Sequence, residues 1–111
     1  MSDSKYFVTL DECSQHEIFP GVTIRAIGGE KLMLSHVVLQ PNSVVEHHSH
    51  PHEQMGILIE GEMTFTIGDE TRELKVGEMW KIPGNVPHLV KAGPRGAVAI
   101  DIFHPVREEY L

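Results

Sequence analysis

The chain has 111 residues with 16 acidic and nine basic side chains, and its formal net charge is −7. Its length predicts a single domain over residues 1–111, with residues 1–5 loosely ordered, and its charge repels nucleic-acid phosphates and anionic lipid surfaces. The lone Cys13 excludes an internal disulfide, and the lack of a long apolar run argues against a signal or membrane segment, so the sequence predicts a cytoplasmic protein.

Short runs with an apolar period of two follow one another along the chain, separated by Gly, Pro and Asn. The pattern predicts strands at residues 6–10, 22–27, 32–40, 44–50, 54–60, 62–67, 71–76, 79–82, 88–92 and 97–103. Residues 11–20 are interpreted as a polar connection, Glu60-Gly61 as a hairpin turn and residues 108–111 as a short helical turn. About ten short strands without an intervening helical unit predict an all-β sandwich or barrel.

Four of the eight histidines lie within residues 46–54, which read Glu-His-His-Ser-His-Pro-His-Glu-Gln. His48 and His50 are two residues apart, so in an extended segment their imidazoles point to the same face. Neutral imidazole is the commonest protein ligand for divalent transition metals, and Gln54 or Glu53 can add an oxygen ligand. The pattern fits one side of a metal site, and it also fits a solvated histidine-rich loop.

Two spaced patterns extend beyond this stretch. The first reads Asn42, five residues, His48-Ser49-His50, three residues, Gln54, six residues, Gly61. The second reads Gly77, five residues, Pro83-Gly84-Asn85, two residues, His88. Together they resemble the two motifs of the cupin superfamily, whose members are double-stranded β-helix (jelly-roll) barrels. Asn replaces a motif Gly twice and tolerates a left-handed backbone, whereas Gln54 replaces a motif Glu and exchanges an anionic ligand for a neutral one.

A narrower resemblance covers nearly the whole chain. The histidine run, residues 83–88 and the tail Asp101-Ile102-Phe103-His104-Pro105-Val106-Arg107-Glu108 are similar to the small single-domain cupins of the KdgF type. The resemblance implies a metal-dependent bacterial enzyme of pectin and alginate breakdown, which converts 4,5-unsaturated uronate monosaccharides to linear keto forms. It also implies a small sugar acid as the substrate and a homodimer.

The metal ligands that the resemblance implies are His48, His50, Gln54 and His88. Because all four are neutral, a divalent ion keeps its full charge, which favours Lewis-acid catalysis. These ligands suit Zn, Ni, Fe, Co or Mn and do not choose among them. If the chain kinks at Pro51, Glu53 takes the place of Gln54.

The last predicted strand decides which other side chains join the site. Ala97, Ala99, Asp101 and Phe103 share one face, and Val98, Ile100 and Ile102 share the other. Parity alone slightly favours the second set as the core, whereas the resemblance implies that Asp101 faces the metal as an acid/base and that Phe103 lines the substrate site. Arg107 and Arg25 are candidates for binding a substrate carboxylate, because a guanidinium offers two parallel hydrogen bonds. The predicted catalytic residues are Asp101 and Arg107.

Two other functions fit the same residues. A cupin dioxygenase can use iron at the same four ligands, and a non-catalytic sugar- or effector-binding cupin can hold a structural metal. Oxygen uptake favours the first function. Binding of uronates without a change in their ultraviolet absorbance favours the second.

Overall fold

The computed structural model describes residues 4–111, and most of them lie in eight strands. The strands are β1 (Ser14–Phe19), β2 (Val22–Gly28), β3 (Met33–Leu39), β4 (Val44–His48), β5 (Glu53–Ile67), β6 (Glu70–Leu74), β7 (Met79–Ile82) and β8 (His88–His104). Short 3-10 helices are present at Leu10–Glu12 and Glu108–Tyr110, and no helix within residues 4–111 has the length and apolar character needed to cross a membrane. Of the loosely ordered segment predicted at residues 1–5, residues 1–3 lie outside the described part of the chain.

All strand pairs are antiparallel, and β8 lies at the centre of the sheet. The strand order is β1-β2-β3-β8-β5-β6, with β4 paired to β8 and β7 paired to β5. β8 therefore contacts β3, β4 and β5, which are far from it in sequence. This all-β antiparallel architecture is the jelly-roll barrel that the motif spacing predicted.

Both ends of β5 and β8 reach the same end of the barrel. Gln54 at the start of β5 lies opposite Phe103, and Ile67 at its end lies opposite His88. The rings of Phe103 and His88 both lie close to that of His50, with centroid distances of 5.7 and 5.0 Å. The two strands therefore double back together, and the four strand ends meet around His50.

The bends in these long strands occur at glycines. Gly61 and Gly96 have positive φ angles of 77° and 78°, and the pairing register shifts around Gly61. A Cβ atom on Gly61 would collide with the carbonyl oxygen of Gly96, and one on Gly96 would collide with that of Leu39. The predicted hairpin at Glu60-Gly61 is therefore wrong. The glycine bends one continuous strand, and β5 and β8 each replace two predicted strands.

The N-terminal part differs from the prediction in two ways. Residues 6–10 contain no strand; instead a 3-10 helix begins at Leu10, where Thr9 donates from its N–H and its hydroxyl to Glu12 Oε1 at 3.2 and 2.9 Å. Residues 11–20, predicted as a polar connection, contain β1, in which Ile18 packs against the core. Pairing with β2 forms this strand despite its low apolar content, because strand preference depends strongly on neighbours.

The core lies between the inner faces of the strands. The inner faces of β2 and β3 carry Val22, Ile24, Ala26, Met33, Ser35, Val37 and Leu39. In the second half of β8 the buried side chains are Ala97, Ala99, Asp101 and Phe103, whereas Ile102 on the other face is 42% exposed. Asp101 therefore faces the interior, as the resemblance implied and against the argument from parity.

Gly56 of β5 lies beside Asp101 of β8 on one side and Trp80 of β7 on the other. A Cβ atom at this position would collide with the carboxylate of Asp101 and with the indole of Trp80. Its missing side chain lets the indole N–H donate a 2.8 Å hydrogen bond to Asp101 Oδ1. Close packing therefore requires glycine here.

We predict that Gly56→Ala lowers the free energy of unfolding by about 1–3 kcal/mol, because the buried carboxylate or the indole must move. Urea denaturation measures the difference. Gly29→Ala is the control, since its added Cβ atom meets only Leu32 O, at an ordinary 3.5 Å. The control should stay within about 0.5 kcal/mol of the native protein, and equal stability of the two variants would contradict the packing argument.

Candidate functional site

Three histidines converge at the end of the barrel where the strand ends meet. His48 is the last residue of β4, His50 follows in the adjoining loop, and His88 begins β8 directly opposite His48. One ring nitrogen of each lies within 4.8 Å of those of the other two. The motif spacing thus brings together side chains that are 40 residues apart in the chain.

Backbone carbonyls fix the protonation of all three rings. The Nδ1 atoms of His48, His50 and His88 lie 2.8, 3.0 and 2.9 Å from the carbonyl oxygens of Glu46, His52 and Val86. Because a carbonyl oxygen only accepts hydrogen bonds, each Nδ1 carries the proton. The Nε2 atom of each neutral ring therefore has a free lone pair, which is the form that binds a metal ion.

Gln54 supplies a further acceptor to the same point. Its amide nitrogen donates to Asp101 Oδ1 at 3.0 Å, so its Oε1 faces His50 Nε2 at 3.1 Å. Neither of these two atoms has a proton to share, so the pair requires a cation or a proton between them. His88 Nε2 is buried and has no hydrogen-bond partner among the described residues. Three free imidazole nitrogens and an amide oxygen fit a divalent transition metal ion.

The alternative ligand Glu53 does not reach this point. Its side chain is exposed and has the opposite parity to that of Gln54, which is buried in β5. His47, which has the opposite parity to His48, is also exposed. His52 is half-buried, its ring centroid lies 5.6 Å from that of His50, and its ring nitrogens are not among the three that converge. Among the residues considered from sequence, the converging ligands are therefore the three histidines and Gln54.

Burial controls the ionisation of His50 and His88. It lowers the pKa of His88 to about 4, and it also lowers the pKa of His50, with the nearby positive charge of Arg107 as the next cause. Both imidazoles are consequently neutral at physiological pH. These two rings therefore present lone pairs rather than positive charges to an ion.

Asp101 is a buried carboxyl group held by two donors. Oδ1 accepts from Gln54 Nε2 at 3.0 Å and from Trp80 Nε1 at 2.8 Å, and neither bond uses Oδ2. Burial raises the pKa of Asp101 to about 6, although the two hydrogen bonds and Arg107 act in the opposite direction. The carboxyl lines the same cavity as His48, Gln54 and His88.

Arg107 follows β8 and closes over this cavity. Its guanidinium contacts two aromatic rings that lie edge to face, with Cζ 4.2 Å from the ring centroid of Tyr110 and 5.2 Å from that of Phe103. Nε and Nη2 contact Glu109 Oε1 at 3.0 and 2.9 Å. Although Arg107 is buried, it lines the cavity together with Phe103 and Tyr110. A fixed positive charge therefore lies beside the histidines.

Arg25 is not brought to the cavity, which corrects the prediction that it binds substrate. Its neighbours Ile24 and Ala26 occupy the inner face of β2, so Arg25 points outward. There Nη1 donates to Leu10 O at 3.1 Å and pairs with Asp11 at 3.4 Å. Its role is to hold the N-terminal 3-10 helix against the sheet.

Two cavity residues were not singled out from the sequence. Ser35 lies at an inner position of β3 between Met33 and Val37, and a polar residue on an otherwise apolar face was the available signal. Tyr110 reaches the cavity because the C-terminal 3-10 helix folds back, and no sequence pattern predicts that contact.

Comparisons with known proteins place the chain in one family. Residues 35–103 match the cupin domain family. Over 77 residues the chain is 38% identical to the H2HPP isomerase of Bacillus subtilis, covering 68% of this chain and 32% of that protein, so the chain spans about a third of this relative's length. Over 109 residues it is 29% identical to the pectin degradation protein KdgF of Dickeya dadantii, covering 96% of this chain and 98% of the relative.

Solved structures show the same fold. An RmlC-like cupin from Shewanella frigidimarina superposes with a TM-score of 0.87 at 24% identity, covering 100% of both chains. KdgF from Halomonas sp. superposes with a TM-score of 0.87 at 24% identity, covering 97% of this chain and 100% of that one. The resemblance inferred from the two motifs is confirmed: the chain belongs to the cupin family and is KdgF-like over nearly its whole length.

Proposed function

We propose that the protein is a metal-dependent enzyme that converts 4,5-unsaturated uronate monosaccharides to linear keto forms. The observation that carries the proposal is the geometry of one cavity. His48, His88 and Gln54 line a cavity together with a buried carboxyl group and a buried guanidinium, and His50 completes the convergent imidazoles beside it. The near full-length similarity to KdgF supports the substrate class.

Each cavity residue has a chemical task in this reaction. His48, His50, Gln54 and His88 would hold a divalent metal ion, which when bound would supply Lewis-acid polarisation of a substrate oxygen. Asp101 is held in place through Oδ1, so its second oxygen is available to take the proton from the hemiacetal hydroxyl of the substrate. The hydroxyl oxygen then forms the aldehyde while the ring C–O bond breaks and leaves an enolate, and Asp101 returns the proton to the carbon of the former double bond. The product is an isomer of the substrate, so the reaction needs no oxidant or further reactant.

Arg107 is the group that recognises the carboxylate of the substrate. The protein has a formal net charge of −7, so a sugar acid is attracted only by local positive charge. The Arg107 guanidinium is held by two aromatic rings and Glu109, which fixes its direction before substrate binds. A fixed planar donor binds a carboxylate with less loss of conformational freedom than a mobile one.

A second candidate is supported by the similarity to the H2HPP isomerase of Bacillus subtilis, which is closer in identity but covers less of this chain. In that case the same cavity isomerises H2HPP instead of a uronate. A dioxygenase and a non-catalytic binding protein remain as outcomes of the experiment below.

The proposal is tested by giving freshly made unsaturated galacturonate and unsaturated guluronate to protein loaded separately with Zn, Ni, Fe, Co or Mn. Loss of the ultraviolet absorbance of the double bond, with the keto form as product, is the expected result. Parallel samples receive H2HPP, and an electrode follows dissolved oxygen. Turnover of H2HPP alone, oxygen consumption with iron, or uronate binding without turnover would each replace the proposal by a different function.

We predict that His88→Ala abolishes stoichiometric metal binding, because it removes one of three convergent nitrogen ligands. Elemental analysis of the purified proteins measures the metal content, and thermal unfolding with and without a chelator gives an independent reading. The chelator should lower the melting temperature of the native protein and leave that of His88→Ala unchanged. His47→Ala is the matched control from the same histidine-rich stretch, and loss of metal from this control would contradict the ligand assignment.

We predict that Asp101→Asn lowers kcat by about 10²–10⁴, because the amide cannot accept and return the proton. The oxygen that accepts from Gln54 and Trp80 is retained, so metal content and melting temperature should stay close to the native values. Glu53→Gln, which neutralises an exposed carboxylate next to Gln54, is the control and should keep full activity. Full activity in Asp101→Asn would exclude this residue as the acid/base.

We predict that Arg107→Lys raises KM for the uronate by about tenfold or more, since an ammonium cannot make two parallel hydrogen bonds to a carboxylate. Steady-state kinetics at saturating metal measure the change. Arg25→Lys is the matched control, because Arg25 points away from the cavity. If KM increased in Arg25→Lys and not in Arg107→Lys, the residue that binds the substrate carboxylate would be Arg25 instead of Arg107.

A further inference from the structure

Ser35 has a buried hydroxyl group that makes no hydrogen bond to any residue of the described range 4–111. Its side chain is 1% exposed on the inner face of β3, between Met33 and Val37. Ser35 Oγ makes no hydrogen bond within the described residues. Buried hydroxyls are normally hydrogen-bonded, so an orphaned one at a cavity calls for a partner that comes from outside the chain.

Ser35 lies next to Asp101 in the cavity. The two residues are directly opposite one another on β3 and β8, and both side chains face inward. The Cβ atoms of such a pair lie about 4.5–5.5 Å apart. The Ser35 hydroxyl makes no bond to the carboxyl, whose Oδ1 is already occupied by Gln54 and Trp80. Both residues line the cavity that contains the histidines.

Packing does not explain the hydroxyl. Its inward neighbours on the adjacent strands include Ala26, paired with Ser35 on β2, and Ala99 on β8. Alanine would fill the same place with one atom fewer and would leave no polar group unpaired. Burying an unpaired hydroxyl costs stability, so this part of the fold would be at least as stable without it.

We propose that Ser35 Oγ is a substrate-binding group, which hydrogen-bonds the hydroxyl of the sugar acid on which Asp101 acts. This inference rests on the proposed function and adds a residue to it. The Ser35 hydroxyl both donates and accepts, so it can stay bonded to the substrate oxygen before and after that oxygen gives its proton to Asp101. Ser35 fixes the position of that oxygen, and Asp101 moves the proton.

The test uses Ser35→Ala in the full-length, metal-loaded protein, with kcat, KM, metal content and melting temperature measured on the same preparation. We expect at least a tenfold loss in kcat/KM for the uronate, unchanged metal content, and a melting temperature equal to or above that of the native protein. Ser35→Cys fills the same space with a weakly hydrogen-bonding group and should also lose kcat/KM. This variant shows that the loss in Ser35→Ala does not come from the space left by the missing hydroxyl.

Ser43→Ala is the matched control, because its hydroxyl donates to Gln40 O at 2.7 Å in a turn that does not line the cavity. This control should keep its kcat/KM. Full activity in Ser35→Ala, or a lowered melting temperature with unchanged kcat/KM, would show a merely structural hydroxyl and overturn the proposal. If the native protein turns over no uronate, the proposed function fails, and the ligand assigned to Ser35 fails with it. That failure is measured on the native protein, whereas a failure of the Ser35 proposal alone is measured on Ser35→Ala.

Discussion

The site depends on one buried carboxylate oxygen. Asp101 Oδ1 accepts from the amide of Gln54 and from the indole of Trp80, so it joins β5, β7 and β8 at a single atom. Because the Gln54 nitrogen is used in this bond, its oxygen must turn toward His50. The orientation of the metal-facing amide is therefore set by the residue proposed to move the proton. Gly56 makes the arrangement possible, since a larger residue would separate the carboxylate from the indole.

The long pairing of β5 with β8 places all of these groups at one end of the barrel. Bends at Gly61 and Gly96 return both strands to the end from which they started. His88 and Phe103, fifteen positions apart in the chain, then both lie beside His50. At the bends, the backbone of Gly61 approaches Gly96, and that of Gly96 approaches Leu39. The fold thus brings the polar groups of the site together at one end of the barrel.

The sequence was most informative where spacing determines geometry. Strand parity alone paired His48 with His50, and the resemblance of the two motifs to those of cupins predicted the barrel and the convergence of His88 with them. Asn42 and Asn85 have positive φ angles, 62° and 68°, as expected for replacements of glycine. Strand ends were less predictable, since a glycine that permits a hairpin also permits a bulge. Tertiary contacts decided the remaining cases: Arg25 and Arg107 look alike in sequence, but only the second folds back over the cavity.

The central position of β8 has a consequence for how the protein is made. β8 follows every other strand in the chain, yet it pairs with β3, β4 and β5 and carries His88, Asp101 and Phe103. On the ribosome the earlier strands emerge without their main partner, and the barrel closes only after β8 has been synthesised. Folding of this kind is governed by contacts between distant residues and is slow compared with local folding. The convergent nitrogens of His48, His50 and His88 therefore come together late in folding, and the histidine-rich stretch is exposed on an unclosed chain until then.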